Sequence, residues 1–174
     1  MDYITAFIEV PKGSRNKYEY DHETGRVFLD RMLFSSVQYP AEYGFIPETL
    51  AEDGDELDIL VLAGEPTFPG CQLRAVPVAM LEMWDEKSRD EKILAVSWRD
   101  PVWGWIRDYS HLPPSLLREI SHFFSIYKEL EGKVTEIGSW FPAEKAWEVI
   151  RQAQERYRKK CDKGGYRSGP SPYS

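Results

Sequence analysis

The sequence predicts a mainly β protein with flanking helices, of the α+β class. It reads as a small closed barrel or strongly curved sheet with two amphipathic helices packed outside. Three observations carry this. The first two thirds of the chain break into short β-rich runs separated by turn residues. From Pro113 onward the apolar residues recur at helical spacing. The 174 residues are 42% hydrophobic and 14% aromatic, enough for one domain with its own core and no need of disulfides.

Taken in order, residues 3–10 alternate loosely and favour a strand. Residues 17–21 read Lys-Tyr-Glu-Tyr-Asp, the alternation of a half-buried strand. A turn at 22–25 leads into a strand at 27–31. The stretch 39–50 holds Pro40, Gly44 and Pro47 and is expected to be irregular. After the turn at Asp53-Gly54-Asp55, residues 57–63 form a buried strand. Runs 73–84 and 93–97 flank the polar stretch 85–92, the pattern of a hairpin with a charged tip. Leu116, Leu117, Ile120, Phe123, Phe124, Tyr127 and Leu130 then mark one face of a helix, with Pro113 and Pro114 at its start. Residues 134–140 allow another strand, and 143–160 a second helix with Ala146, Trp147, Ile150, Ala153 and Tyr157 on one face. Residues 1–160 are expected to form a single domain. Residues 161–174, rich in Gly, Ser and Pro, are expected to form a flexible tail.

Charge narrows the function. With 29 acidic and 22 basic residues the net charge is −7, contrary to what a general nucleic-acid binder needs. It suits a site that collects divalent cations. The longest apolar run, residues 59–63, is far short of the ~20 residues of a membrane span, and no basic n-region opens the chain. Cys71 and Cys161 form neither a disulfide framework nor a zinc motif, so a cytoplasmic location is expected.

Five constellations could carry chemistry. Asp53, Asp55 and Asp58 lie within six residues at the mouth of an apolar strand, and Gly54 permits the tight turn that would converge them. Bunched carboxylates are hard-oxygen ligands suited to Mg²⁺, Mn²⁺ or Ca²⁺. The same residues also fit a solvated turn. Asp85, Glu86, Asp90 and Lys92 lie in a stretch that reads equally as a soluble hairpin tip. Glu9 ends a strand, while Lys17 and Glu19 share a strand face and could simply form a salt bridge. Arg31, Tyr39 and Tyr43 could offer donors to phosphate oxygens or be half-buried packing. Tyr127 and Lys128 could do likewise, or be a core tyrosine beside a surface lysine.

In order and approximate spacing these motifs resemble the soluble family I inorganic pyrophosphatases of the short prokaryotic type. The stretch Asp53-Gly54-Asp55-Glu56-Leu57-Asp58-Ile59 is similar to that family's aspartate signature, and the likeness extends over about residues 6–158. It implies a five-stranded OB-like closed barrel and Mg²⁺-dependent hydrolysis of pyrophosphate to two orthophosphates. The attack would be direct, by a metal-bound hydroxide, and would draw biosynthetic pyrophosphate-releasing reactions forward. Three or four Mg²⁺ per site are implied, with Mn²⁺ or Zn²⁺ as substitutes and Ca²⁺ inhibitory. By the same resemblance Asp53, Asp58, Asp85, Asp90, Glu86, Glu9 and Glu19 would serve metals. Asp55 would act as general base, with Tyr43 and Lys92 also catalytic. Lys17, Arg31, Tyr43, Lys92, Tyr127 and Lys128 would grip phosphate oxygens. A homo-oligomer, a hexamer by resemblance, is implied, with no nucleic acid or membrane partner. Eight carboxylates against four cationic side chains would repel a pyrophosphate of about −3 to −4 unless divalent cations intervened. The competing readings are an OB-type single-strand binder, a structural calcium protein, and a hydrolase of nucleotides or polyphosphates.

Overall fold

Five strands pair edge to edge and return to their start. The computed structural model describes residues 2–86 and 88–163. The chain runs through β1 (Ile4–Val10), β2 (Asn16–Asp21), β3 (Arg26–Met32), β4 (Glu42–Ile46), β5 (Leu57–Leu62), β6 (Gln72–Asp85), β7 (Ser88–Arg89) and β8 (Lys92–Ser97). It continues through α1 (Pro114–Ile126), β9 (Thr135–Pro142) and α2 (Ala143–Lys163). β1 pairs antiparallel with β4, and β4 with β5; β5 lies parallel to β8, and β8 antiparallel to β6. The first residues of β6 then pair with β1 and close the ring. A closed ring leaves none of these strands as a free edge. The ring of five strands and the two helices outside it agree with the fold expected from the sequence.

The long strand β6 serves several partners in succession. It meets β1 at its start and β8 along its middle. Its far half carries β9 and the two-residue tip β7. Pro77 stands at a register shift opposite β8, where a residue without an N–H is tolerated inside a sheet. β2 and β3 form a separate antiparallel hairpin beside the ring.

Side-chain alternation splits the interior into two cores. Ile59, Val61, Ile93 and Ala95 join Ala146, Val149, Ile150 and Ala153 of α2. Their neighbours Leu60, Leu62, Leu94 and Val96 join Ile120, Phe123 and Phe124 of α1. Strands β5 and β8 are therefore apolar on both faces, which explains the unbroken run at 59–63. Each such fully buried side chain contributes roughly 1.5–3 kcal/mol.

The structure departs from the sequence reading in three places. Residues 42–46, expected to be irregular, are the buried strand β4. α1 ends at Ile126, and Leu130 lies in a short 3₁₀ turn, 66% exposed, away from the helix face assigned to it. α2 runs through Lys163, so Cys161 is half-buried on a helix; the rest of the expected tail, 164–174, lies outside the described residues. The stretch 97–106, which holds three tryptophans, is mixed. Trp98 and Trp103 pack against the core, while Trp105 is 63% exposed.

β4 contains the position that permits ring closure. A Cβ on Gly44 would come 1.8 Å from the carbonyl oxygen of Phe7 on β1. The obstacle is backbone, so no rotamer change relieves it. Gly44→Ala is expected to cost more than the ~3 kcal/mol at the top of ordinary overpacking, read as a shift in the denaturation midpoint. A midpoint equal to that of the unaltered protein would refute the close approach.

Asp108 joins the loop before α1 to the start of α2. Its Oδ1 accepts the Ala143 N–H at 3.0 Å, and its Oδ2 accepts the Ser110 N–H at 3.1 Å. Burial alone would lift this carboxyl; the hydrogen bonds from Ala143 and Ser110 outweigh it and hold the pKa below 3.8. A carboxyl lowered in the folded state stabilises above its unfolded pKa, and loses that contribution as pH falls through the folded one. Asp108→Ala is therefore expected to be less stable by about 1 kcal/mol at pH 7. Denaturation curves should show the gap narrowing below pH 3.8.

Candidate active site

A polar cleft of ≈ 420 Å³ opens where β1, the β2–β3 hairpin, the turn before β5 and the ends of β6 and β8 meet. Its centre is Lys92, which enters β8 directly opposite Asp58 on β5. Only 2% of Lys92 is exposed. Its Nζ donates to Asp58 at 2.5 Å, to Asp90 at 3.0 Å and to the Tyr43 hydroxyl at 3.1 Å. Tyr43, from β4, donates its own hydroxyl to Asp58 at 3.0 Å. Burial works to discharge Lys92, but Asp58, Tyr43 and Asp90 outweigh it and hold the pKa raised, so the ammonium persists. Burial raises the Tyr43 phenol well above its ordinary value, so Tyr43 remains a neutral donor.

The other acids stand around this pair. The turn before β5 presents Asp53 and Asp55; the Asp55 N–H donates to the Asp53 carboxylate at 3.0 Å, and Gly54 at φ 96° allows the tight turn. Asp55 is raised by burial and then by Asp53 and Asp58. Glu9, at the end of β1, accepts the Tyr20 N–H at 2.7 Å. Burial lifts its carboxyl from 4.5 to about 7; the Tyr20 hydrogen bond opposes the rise and Asp58 adds to it. Asp90 is lifted to about 6, chiefly by burial, with Lys92 pulling the other way. Lys128, just beyond α1, donates to Asp85 Oδ2 at 2.5 Å. Asp85 Oδ1 is buried and meets no donor among the described residues.

This donor set fits divalent cations in its chemistry. It consists of hard oxygens, two of the acids are held near their own protons by burial, and one buried carboxylate oxygen lacks a donor. As placed, no three acid, histidine or cysteine side chains among the described residues stand close enough to hold one ion. The Lys92 ammonium lies between Asp58 and Asp90 instead. Ion binding at Asp53, Asp58 and Asp90 therefore requires side-chain rotation about a backbone already in position.

Glu9, Lys17, Glu19, Tyr43, Asp53, Asp55, Asp58, Asp85, Asp90, Lys92, Tyr127 and Lys128 all line this cleft. Three residues read from the sequence, Arg31, Glu86 and Tyr39, do not. Arg31 pairs with Glu131 at 2.7 Å and with Asp30, so its guanidinium is engaged beside the cleft. Glu86, at φ 48° in the hairpin turn, lines a neighbouring cleft with Trp84 and Glu136. Lys17 contacts Glu19 on its own strand face and stands 3.8 Å from Asp30 across the hairpin.

Two other groups escaped the sequence reading. His22 pairs with Glu56 at 2.7 Å at the rim. Buried Glu42 accepts the N–H groups of Lys12 and Thr67, both at 3.1 Å, and so holds the β1–β2 loop to the ring. Tyr39, only 1% exposed, packs on Tyr43, and its hydroxyl has no hydrogen-bond partner among the described residues. The sequence stretch 39–43 contained the signal for Tyr39; nothing local marked Glu42 or His22.

The chain was compared with known proteins and structures. The family described as inorganic pyrophosphatase matches residues 6–158. The chain is similar to the inorganic pyrophosphatase of Methanosarcina mazei, 56% identical over 152 residues that span 87% of this chain and 90% of that protein. It is 52% identical to that of Leifsonia xyli over 152 residues, 87% of this chain and 93% of that protein. The crystal structure of inorganic pyrophosphatase from Thermus thermophilus superposes with a TM-score of 0.87 at 43% identity, over 90% of this chain and 91% of that one. With the match running from the second residue pair of β1 well into α2, the chain belongs to the inorganic pyrophosphatase family.

Proposed function

We propose that this protein hydrolyses inorganic pyrophosphate to two orthophosphates in the cleft around Lys92, with divalent cations. The observation that carries the proposal is the meeting, in one cleft, of acids held near their own protons with the ammonium groups of Lys17, Lys92 and Lys128. Family membership supports the reaction, and the hard-oxygen donors support Mg²⁺.

In this reading Asp53, Asp58, Asp85 and Asp90 hold the cations, with Glu9 and Glu19 holding a further one, partly through water. Glu86 contributes only if the hairpin turn swings it toward Asp85. Three to four Mg²⁺ per site are proposed, replaceable by Mn²⁺ or Zn²⁺ and antagonised by Ca²⁺. When bound, such ions neutralise the substrate and lower the pKa of coordinated water.

The chain's own groups supply the rest. The Asp55 carboxylate, raised by burial and then by Asp53 and Asp58, accepts a proton from the attacking water and aims it at phosphorus. Lys17, Lys92 and Lys128 donate from Nζ, and Tyr43 and Tyr127 from their hydroxyls, to the phosphate oxygens. Such donors stabilise charge spread over the oxygens during transfer. Arg31 joins them by exchanging Glu131 for a phosphate oxygen. No residue forms a covalent bond to phosphorus.

The proposal includes a cytoplasmic homo-oligomer, the hexamer being expected from the family likeness. Phe28, Leu29, Met32 and Phe34, all at least half exposed, offer apolar surface for it. Among the described residues no helix is long and apolar enough to cross a membrane. Residues 1–160 act as one catalytic domain.

Phosphate release from pyrophosphate, ATP and tripolyphosphate, with Mg²⁺ or EDTA, tests the reading. Rapid release from pyrophosphate with Mg²⁺, abolished by EDTA, is expected; release independent of metal contradicts it. Asp55→Asn should lower kcat by about 10²–10⁴ with unchanged thermal unfolding, and near-normal turnover would remove Asp55 from its role.

A further inference from the structure

The cleft's acids come from two separate segments. Asp53, Asp55 and Asp58 are on the loop that enters β5, while Asp90 is on the tip between β7 and β8. Hydrogen bonding accounts for the lower part of the first segment. Buried Thr49 donates to the Ile46 carbonyl at 2.6 Å and accepts the Leu57 N–H at 3.0 Å, pinning the base of the loop. Ala51 N–H donates to the Asp55 carbonyl at 2.7 Å, closing its upper part.

Between these lies Leu50, whose backbone is held entirely by α2. Its N–H donates to the Ala153 carbonyl at 3.0 Å, and its carbonyl accepts from Arg156 Nε at 2.8 Å. Arg156 also lines one small cavity with Glu52, from the acid loop, and with Arg89 and Glu91, the two neighbours of Asp90. Arg89 pairs with Glu91 at 2.6 Å and with Glu82 at 3.1 Å, so the hairpin tip is itself braced. Arg156 is thus the helix's cation at the junction with both acid-bearing segments, three residues C-terminal to Ala153 and outside the cleft.

We propose that Arg156 is a positioning residue for the metal site: its guanidinium, bonded to the Leu50 carbonyl and lining one cavity with Glu52 and Glu91, sets the separation of the Asp53–Asp58 loop from Asp90. This rests on the function proposed above. A carboxylate pair brought together from two loops binds an ion only as well as the loops hold their spacing. Partners outside the ligand shell commonly carry ~10–100-fold in metal affinity. The turn at Gly54 is closed on itself by the Ala51–Asp55 hydrogen bond, so its placement relative to Asp90 is set at its base.

The test is Mn²⁺ binding to the metal-free protein, read by electron paramagnetic resonance without substrate, beside thermal unfolding. Arg156→Ala is expected to weaken Mn²⁺ about tenfold, the lower end of that range. Arg156→Lys, which keeps a charged donor, should recover part of the loss and serves if the alanine variant does not fold. Lys159→Ala, on the exposed face of α2, should change neither quantity. A lowered melting temperature with unchanged Mn²⁺ affinity in Arg156→Ala would overturn the proposal, leaving Arg156 a purely structural brace. Failure of the unaltered protein to bind Mn²⁺ would instead overturn the metal reading itself, and this inference with it.

Discussion

The structure depends on one caged charge. Lys92 carries an ammonium that is 2% exposed and hydrogen-bonded by Asp58, Asp90 and Tyr43. A buried ammonium without partners would cost several kcal/mol. It is stable only because parallel pairing of β5 with β8 sets residue 58 opposite residue 92. The ring closure that allows this pairing requires β1 to approach β4 within the space of a missing Cβ at Gly44. Fold and site therefore share a constraint: close backbone packing at one place in the ring holds the charged pair at another.

The cage leaves an imbalance. One ammonium cannot satisfy Asp58, Asp90, Asp53, Asp55 and Glu9 together. The excess appears as carboxyls lifted by burial, Glu9 from 4.5 to about 7 and Asp90 from 3.8 to about 6. At ~1.4 kcal/mol per pKa unit, the ionised form of Glu9 is disfavoured by on the order of 3 kcal/mol. A single surface ion pair contributes less than ~1 kcal/mol, too little to offset that. Divalent cations supply the missing charge in a form that hard oxygens accept. The desolvated acids are thus the physical reason why the proposed reaction, on a pyrophosphate of about −3 to −4, would need divalent cations.

Much of this was legible in the chain. Helical periodicity located α1, because Ile120, Phe123 and Phe124 repeat the spacing of one buried face. The acid-rich turn was legible because Asp53, Gly54 and Asp55 stand directly before an apolar strand. β4 was hidden by its own punctuation. Pro40 and Pro47 bracket it, and Gly44 reads as a turn residue although it serves a close strand approach. Leu130 fits the helical spacing yet lies beyond the end of α1. Residues whose meaning comes from distant partners left no local signal. The engagement of Arg31 with Glu131 had no local sign, because that partner is one hundred positions away. Arg156 looked like one more basic residue in the last turns of a helix, and only the fold brings it to Leu50.

The central claim is that the acids of the loop before β5 and of the β7–β8 tip turn from their present partners onto shared divalent ions. Anomalous scattering from crystals of the protein grown with Mn²⁺ tests it most directly. The account requires strong peaks bounded by Asp53, Asp58 and Asp90, with Lys92 displaced from between the latter two. Peaks confined to other surfaces, with Lys92 still bridging Asp58 and Asp90, would contradict it.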